Sequence, residues 1–263
     1  MDLGLKGKVA LVAAASKGLG RAVAEELATE GASLILCARG EEALRETCAT
    51  IEQTAGVPVL GLVADVANAA DITRVTQAAL DRFGRIDILV TNAGGPPAGT
   101  FDTLSPEQWQ AATSLLLTSV VELTRAVLPS MRARGWGRIL NITSISVKQP
   151  VENLMLSNSL RAAVTGMART LATEVAAQGI TVNNILPGYT RTERVVGLAD
   201  AMAAKEGISA ADATARWENQ IPMRRLGEPR EFAALAAFLC SERASYITGT
   251  SIPVDGGWIQ GLL

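Results

Sequence analysis

Short runs of branched aliphatic residues recur along this chain and alternate with longer segments of helical periodicity. Strands are predicted near 8–13, 33–37, 57–63, 86–91, 136–142, 180–186 and 250–254, and helices near 18–30, 41–54, 68–83, 105–133, 155–177 and 229–240. Most strand segments have no polar face; Val9-Ala-Leu-Val-Ala13 is an example. A strand apolar on both faces must be covered on both, and strands separated by helices join through right-handed parallel crossovers. The alternation therefore predicts an α/β fold: one doubly wound domain over 1–263, with a seven-stranded parallel sheet and helices on both faces. One stretch departs from the pattern. Between the sixth strand and the last long helix, residues 189–226 carry an Ala-rich, charge-dotted helical segment, Leu198–Gln220. An excursion after a strand's carboxyl end lies over the ligand cleft of such a sheet, so it is read as a helical substrate lid.

Residue scarcity narrows the chemistry. The 263 residues include no histidine and only two tyrosines, Tyr189 and Tyr246. This excludes imidazole bases, Ser-His-Asp and Cys-His nucleophile systems and His-ligated metals. The three cysteines, Cys37, Cys48 and Cys240, form no CxxC pair, so no metal site is expected and a reducing, cytoplasmic setting is. A net charge of −2 gives no basic footprint for nucleic acid or anionic membrane. Lys6 and Lys8 before an apolar run imitate a short signal peptide, but the run leads straight into Ser16-Lys17-Gly18-Leu19-Gly20 and reads better as a buried strand entering a turn.

That turn opens a helix, and glycine with small residues lets the backbone approach a pyrophosphate at the helix N-terminus. Further along come Asp65-Val66, Asn92-Ala93-Gly94, Asn141-Ile-Thr-Ser144 and Pro187-Gly188, each just after a predicted strand. Pro222-Met-Arg-Arg-Leu-Gly227 and Ser245-Tyr-Ile-Thr-Gly249 follow in the last third. With these motifs in this order, the chain resembles the short-chain dehydrogenase/reductases along essentially its whole length, above all the branch containing β-ketoacyl carrier-protein reductases.

The resemblance implies a Rossmann-like fold, a small-molecule substrate, a homotetramer and a dinucleotide held by Ser16, Lys17, Gly18, Leu19, Gly20, Arg39, Asp65, Val66, Asn92, Ala93, Gly94, Arg161, Pro187 and Gly188. A charged fraction of 19%, below the usual ~25%, agrees with surface buried between subunits. Leu36-Cys37-Ala38-Arg39 lacks the acidic residue that would hold a ribose 2′-hydroxyl, and Arg39 and Lys17 offer cations for a 2′-phosphate, so NADP(H) is favoured over NAD(H). Ala13 and Ala14 stand where the family has Thr and its first Gly. Because Ala14 tolerates a positive φ poorly, a weakened pyrophosphate site is expected.

The family's chemistry uses Asn, Ser, Tyr and Lys. Here the Ser is Ser144, but the Tyr position, thirteen residues on, is Ser157; the Lys position is Arg161, and the Asn position, seven after Trp109, is Leu116. Arg161 keeps a permanent cation, whereas Ser157 is a far weaker acid than a phenol. The catalytic candidates are therefore Ser144, Ser157 and Arg161, with Lys148, Tyr189 or water as substitute proton donors. Three readings stand: an NADP(H)-dependent oxidoreductase with a non-standard proton donor, a catalytically inactive nucleotide- or metabolite-binding protein, or a non-redox enzyme built on Ser144, Ser157 and Arg161.

Overall fold

The computed structural model describes residues 1–262. Seven strands, β1 (Val9–Ala13), β2 (Ser33–Ala38), β3 (Val59–Val63), β4 (Ile88–Thr91), β5 (Gly137–Ile142), β6 (Ile180–Pro187) and β7 (Ser251–Val254), form one sheet in the order β3-β2-β1-β4-β5-β6-β7. Every pairing is parallel. The chain runs outward from β1 to β3, then crosses back to β4 on the other side of β1. The switch point of the sheet therefore lies between β1 and β4.

Period-two alternation divides the core between two layers. Ala10, Val12, Leu34 and Leu36 face one side, where α1 (Gly18–Thr29), α2 (Glu41–Ala55) and α9 (Pro229–Leu239) contribute Val23, Leu27, Ile51 and Phe232. Leu11, Ile35, Leu89 and Val182 face the other, against Val75 and Ala79 of α3 (Ala69–Phe83), Leu123 and Val127 of α5 (Ser119–Arg134), and Ala168 and Ala172 of α6 (Met155–Val175). Polar side chains, buried except for the half-buried Ser251, add a second tie across the sheet. Thr91 donates to Asn141 at 2.7 Å, Asn141 to Asn184 at 3.1 Å, and Asn184 to Ser251 at 3.1 Å, one residue from each of β4 to β7.

Two sequence expectations are refined. The helix expected over 105–133 is α4 (Pro106–Thr113), a π-helical turn (Ser114–Thr118) and α5. By length and composition Pro106–Arg134 could cross a membrane, but it is broken by this turn and sends Leu116, Leu123, Val127 and Met131 into the protein interior. The helical segment expected over 198–220 begins earlier and breaks in two, α7 (Glu193–Glu206) and α8 (Ala210–Gln220). Thr192 and Ser209 cap their N-termini, and Gly207 ends α7 at a φ of 68°. Their interface is built from Ala199, Ala203 and Ala213. The excursion is closed at its neck, where Arg191 N donates to Gly227 O at 2.8 Å and Gly227 N to Tyr189 O at 3.0 Å.

At the opposite edge of the sheet, the buried carboxylate of Asp87 accepts from Val9 N at 2.9 Å and pairs with Arg85 Nε at 3.0 Å and Arg134 Nε at 3.5 Å. Removing it leaves a buried N–H and two cations unmatched. Asp87→Ala is therefore expected to destabilise the fold by about 3 kcal/mol in denaturant titration. An unchanged transition midpoint would refute this anchor.

Candidate active site

Because all strands run the same way, the loops after β1, β2, β3, β4, β5 and β6 open on one edge of the sheet, and this alone gathers residues from distant parts of the sequence. The turn after β1 is the tightest part. Ala14 adopts a φ of 48°, so the left-handed turn forms in spite of the methyl group. A Cβ on Gly20 would collide with the Ala14 carbonyl and lie 2.8 Å from Asn92 Nδ2. Asn92 Nδ2 itself donates to Ala14 O at 3.4 Å, joining the loop after β4 to this turn. Lys17 is the N-cap of α1 and supplies no side-chain cap, so the first amides of the helix remain available to an anion. Ser16 offers its carbonyl to Thr47 Oγ1 at 3.0 Å, and Leu19 packs against the core, so both hold the turn in place.

The other nucleotide candidates take up distinct positions. Arg39 is exposed at the end of β2. Lys17 is not a free cation: its Nζ lies 2.9 Å from Glu193 Oε2 at the start of α7. Asp65 accepts from Ala67 N at 2.9 Å, and Val66 is buried in the core. Ala93 is partly buried, and Gly94 faces open space. Gly188 donates to Val254 O at 3.0 Å, where a side chain would meet Asp255 Cα at 2.7 Å; Pro187 is the last residue of β6.

Ser144 follows β5 and accepts from Ser146 N at 3.1 Å, capping a short turn, Ile145–Val147. Helix α6 packs on that turn. Ser157 and Arg161 lie one turn apart on α6, and Arg161 Nη1 donates to Ile142 O at 3.0 Å, two residues before Ser144. The trio expected from the sequence thus belongs to one corner of the cleft. Burial, and after it the neighbouring Arg194 charge, lowers the Arg161 guanidinium to about 10, which leaves it cationic at neutral pH.

Beside Arg161 is a cavity of about 10 Å³ lined by residues including Asn92, Leu116, Thr143 and Arg161. It is water-sized. Thr143 is buried, and its Oγ1 has no hydrogen-bond partner among the described residues. Leu116 belongs to the π-helical turn and packs with Leu156 and Leu160.

The two alternative acids fit poorly. Lys148 is exposed, four residues past Ser144. Tyr189 stacks on Trp217 at 5.3 Å and meets Trp258 edge-on at 6.1 Å; burial pushes its phenol up, away from neutrality. Three participants were not foreseen: Thr143, Glu193 and Arg194. Thr143 was within reach, being next to Ser144 at a strand end. Nothing local marks Glu193 or Arg194, whose partners are Lys17 and Gly95, far away in sequence.

A family model described as enoyl-(acyl carrier protein) reductase matches residues 13–259. Dehydrogenase/reductase SDR family member 4 of Oryctolagus cuniculus is 36% identical over 254 residues, covering 96% of this chain and 94% of its own. The 3-oxoacyl-[acyl-carrier-protein] reductase FabG of Vibrio cholerae is 36% identical over 255 residues, covering 97% and 98%. Among solved structures, L-sorbose reductase from Gluconobacter frateurii, complexed with NADPH and L-sorbose, superposes with a TM-score of 0.96 at 37% identity over 100% of both chains. By its sheet order, its strand-end motifs and these matches, the chain belongs to the short-chain dehydrogenase/reductase family, in the branch of the ketoacyl reductases.

Proposed function

We propose that this protein is an NADP(H)-dependent oxidoreductase acting on a small carbonyl or alcohol substrate, with a proton donor other than tyrosine. The observation that carries the reading is the nucleotide end of the cleft. Gly20 lets α1 close against the Ala14 carbonyl and so keeps the turn tight, the first turn of α1 carries no side-chain cap, and Arg39 is exposed at the end of β2 where an acidic residue would select NAD. The solved sorbose reductase binds NADPH on the same scaffold. These residues fit a dinucleotide: the turn Ser16–Gly20 would hold its pyrophosphate, Arg39 a 2′-phosphate, and Asp65, Val66, Asn92, Ala93, Gly94, Arg161, Pro187 and Gly188 the remainder. When bound, this cofactor supplies or accepts a hydride.

The chain's own residues have three tasks. Ser144 Oγ donates to the substrate oxygen and orients it. Arg161 stabilises negative charge developing on that oxygen, the usual service of a fixed cation in a partly dry site. Ser157 adds a second hydroxyl in the same corner, but an aliphatic hydroxyl stays protonated at any physiological pH and serves as a hydrogen-bond donor only. The proton would come through the water-sized cavity, where Thr143 Oγ1 and Arg161 offer polar partners. Helices α7 and α8 are proposed as the substrate lid over 189–226, with exposed Val196 and Leu198 available to an apolar part of the substrate.

A second reading, a nucleotide-binding protein without turnover, is favoured by one observation: Ser157, Arg161 and Leu116 together replace the family's Tyr, Lys and Asn. We also propose a homotetramer. A groove of about 600 Å³ between α5 and α6 mixes Val121, Leu128, Met167 and Leu171 with Arg125, Arg132 and Glu174, and gives a second copy both apolar and charged groups to meet. We propose a reducing, cytoplasmic setting on the sequence alone, whose three cysteines form no CxxC pair.

Calorimetric titration is expected to give micromolar affinity for NADPH and about tenfold or weaker affinity for NADH, with Arg39→Ala removing most of the difference. Equal affinity for both, or none, would reject the cofactor assignment. A carbonyl panel with NADPH should yield at least one substrate whose turnover falls about a hundredfold in Ser144→Ala. NADPH binding without turnover on any member would instead establish the second reading. Light scattering at micromolar concentration should report four chains, and Leu171→Glu should dissociate them; a monomeric native protein would refute the tetramer.

A further inference from the structure

Polar and apolar groups are unevenly shared out around Ser144. The turn it caps places Ile145 and Val147, with Val151 just beyond, in one apolar cluster. Other members come from distant segments: Tyr189 follows β6, Val195 and Trp217 belong to the lid, and Trp258 and Ile259 follow β7. Ile145 and Trp258 are buried at its base, whereas Val147, Val151, Tyr189, Val195 and Trp217 are only partly buried and keep accessible surface. Tyr189 and Trp217 lie nearly parallel, 15° apart with ring centroids at 5.3 Å, so this part of the wall beside Ser144 is flat.

The polar side chains on the same segments are tied to the protein's own groups. Both carboxylate oxygens of Asp255 accept, from Gly257 N at 2.9 Å and Ile259 N at 2.8 Å, which folds the chain after β7 onto the cluster. Gln149 Oε1 accepts from Gln260 N at 3.2 Å and joins that segment to the loop after Ser144. Asn158 Nδ2 donates to Val151 O at 2.9 Å, Thr190 Oγ1 to Gly188 O at 3.3 Å, and Glu218 beside Trp217 pairs with Arg191 at 3.8 Å. The hydroxyls of Thr143 and Ser146 have no partner among the described residues, but both are buried and neither is at the surface. A ligand whose oxygen lies at Ser144 therefore meets polar groups in the corner shared with Ser157 and Arg161, and carbon along the wall. Each hydroxyl or carboxylate it carried onto that wall would lose water without gaining a partner, at about tenfold or more in affinity.

We propose that the substrate is an apolar, ring-bearing ketone or the corresponding alcohol, its oxygen at Ser144 and its ring against Tyr189 and Trp217. Sugars, polyols and keto acids are disfavoured by the same wall. In reduction the carbonyl carbon takes the hydride of NADPH and its oxygen a proton from water, giving the secondary alcohol and NADP. That step rests on the redox reading above; the preference of the wall for an apolar ring does not need turnover.

The test is calorimetric titration of the full chain, with and without NADPH, with acetophenone, fructose and benzoylformate. Acetophenone should bind about tenfold or more tightly than either of the others. Trp217→Ala should weaken acetophenone binding about tenfold, and Trp217→Phe, which keeps a ring, should restore most of it. Val147→Thr sets a hydroxyl on the wall at nearly constant volume and should weaken the same ligand about threefold or more, which decides the matter if Trp217→Ala melts early. Under turnover with NADPH, the loss in Trp217→Ala should appear in KM and not in kcat, because the ring touches no reacting atom. No binding of acetophenone, tighter binding of fructose or benzoylformate, or acetophenone binding unchanged in both Trp217→Ala and Val147→Thr overturns the proposal. Binding that depends on Trp217 but brings no oxidation of NADPH would reject the redox reading and leave the apolar site standing.

Discussion

The parallel ladder centred on β1 is the constraint from which the rest of the molecule follows. Both of its faces are apolar, so helices must cover both, and the amide groups of every inner strand are spent on its neighbours. Parallel pairing then fixes the direction of every strand and sends all seven carboxyl ends to one edge. The polar chain from Thr91 through Asn141 and Asn184 to Ser251 sits in the interior because each member is satisfied by the next, which also holds the register of β4 to β7. A cleft at the switch point between β1 and β4 is a geometric consequence of this arrangement.

Within that cleft the two ends have diverged. The nucleotide end keeps its shape at a local cost: Ala14 is held at a φ of 48° by the Asn92 bond to its carbonyl and by the packing of Gly20 beneath it. Left-handed backbone costs a residue with a Cβ roughly 1–2 kcal/mol, well within what the surrounding core can sustain. The chemical end keeps the positions and changes the groups. Ser157 and Arg161 are one helical turn apart beside the turn that Ser144 caps, and the π-helical turn that contains Leu116 separates α4 from α5. Position 157, where the family resemblance implies a phenol, carries an aliphatic hydroxyl, a far weaker acid.

The lid connects these two ends. Its neck is pinned at Gly227, its first residues reach Lys17 on one side and Gly95 on the other, and its second helix is clamped by Tyr189, Trp217 and Trp258. The tyrosine best placed to replace the missing acid is thereby used for packing. Lys17, read from sequence as a cation awaiting a phosphate, has a carboxylate partner from the lid, so a 2′-phosphate would have to compete with Glu193 or displace it.

Strand and helix positions, the layer on which each core residue falls, and the residue types at the family's motif positions were legible in the sequence because they depend on period and spacing along the chain. The same spacing brought Ser157 and Arg161 onto one face and left Ser144 at a strand end. Other features depend on pairs distant in sequence, and only the folded chain reveals them. The break of the lid into two helices follows from the Ser209 cap and the left-handed Gly207, and the π-helical turn interrupts what reads as one continuous helical pattern. The contacts Glu193–Lys17 and Arg194–Gly95 and the cavity beside Thr143 arise where an excursion after β6 meets loops after β1 and β4. The sequence by itself determined that a doubly wound α/β fold would form, with Ser157 and Arg161 one helical turn apart after the fifth strand. Tertiary structure alone decided which charges meet across the cleft, because that depends on how the lid closes on loops from more than one strand.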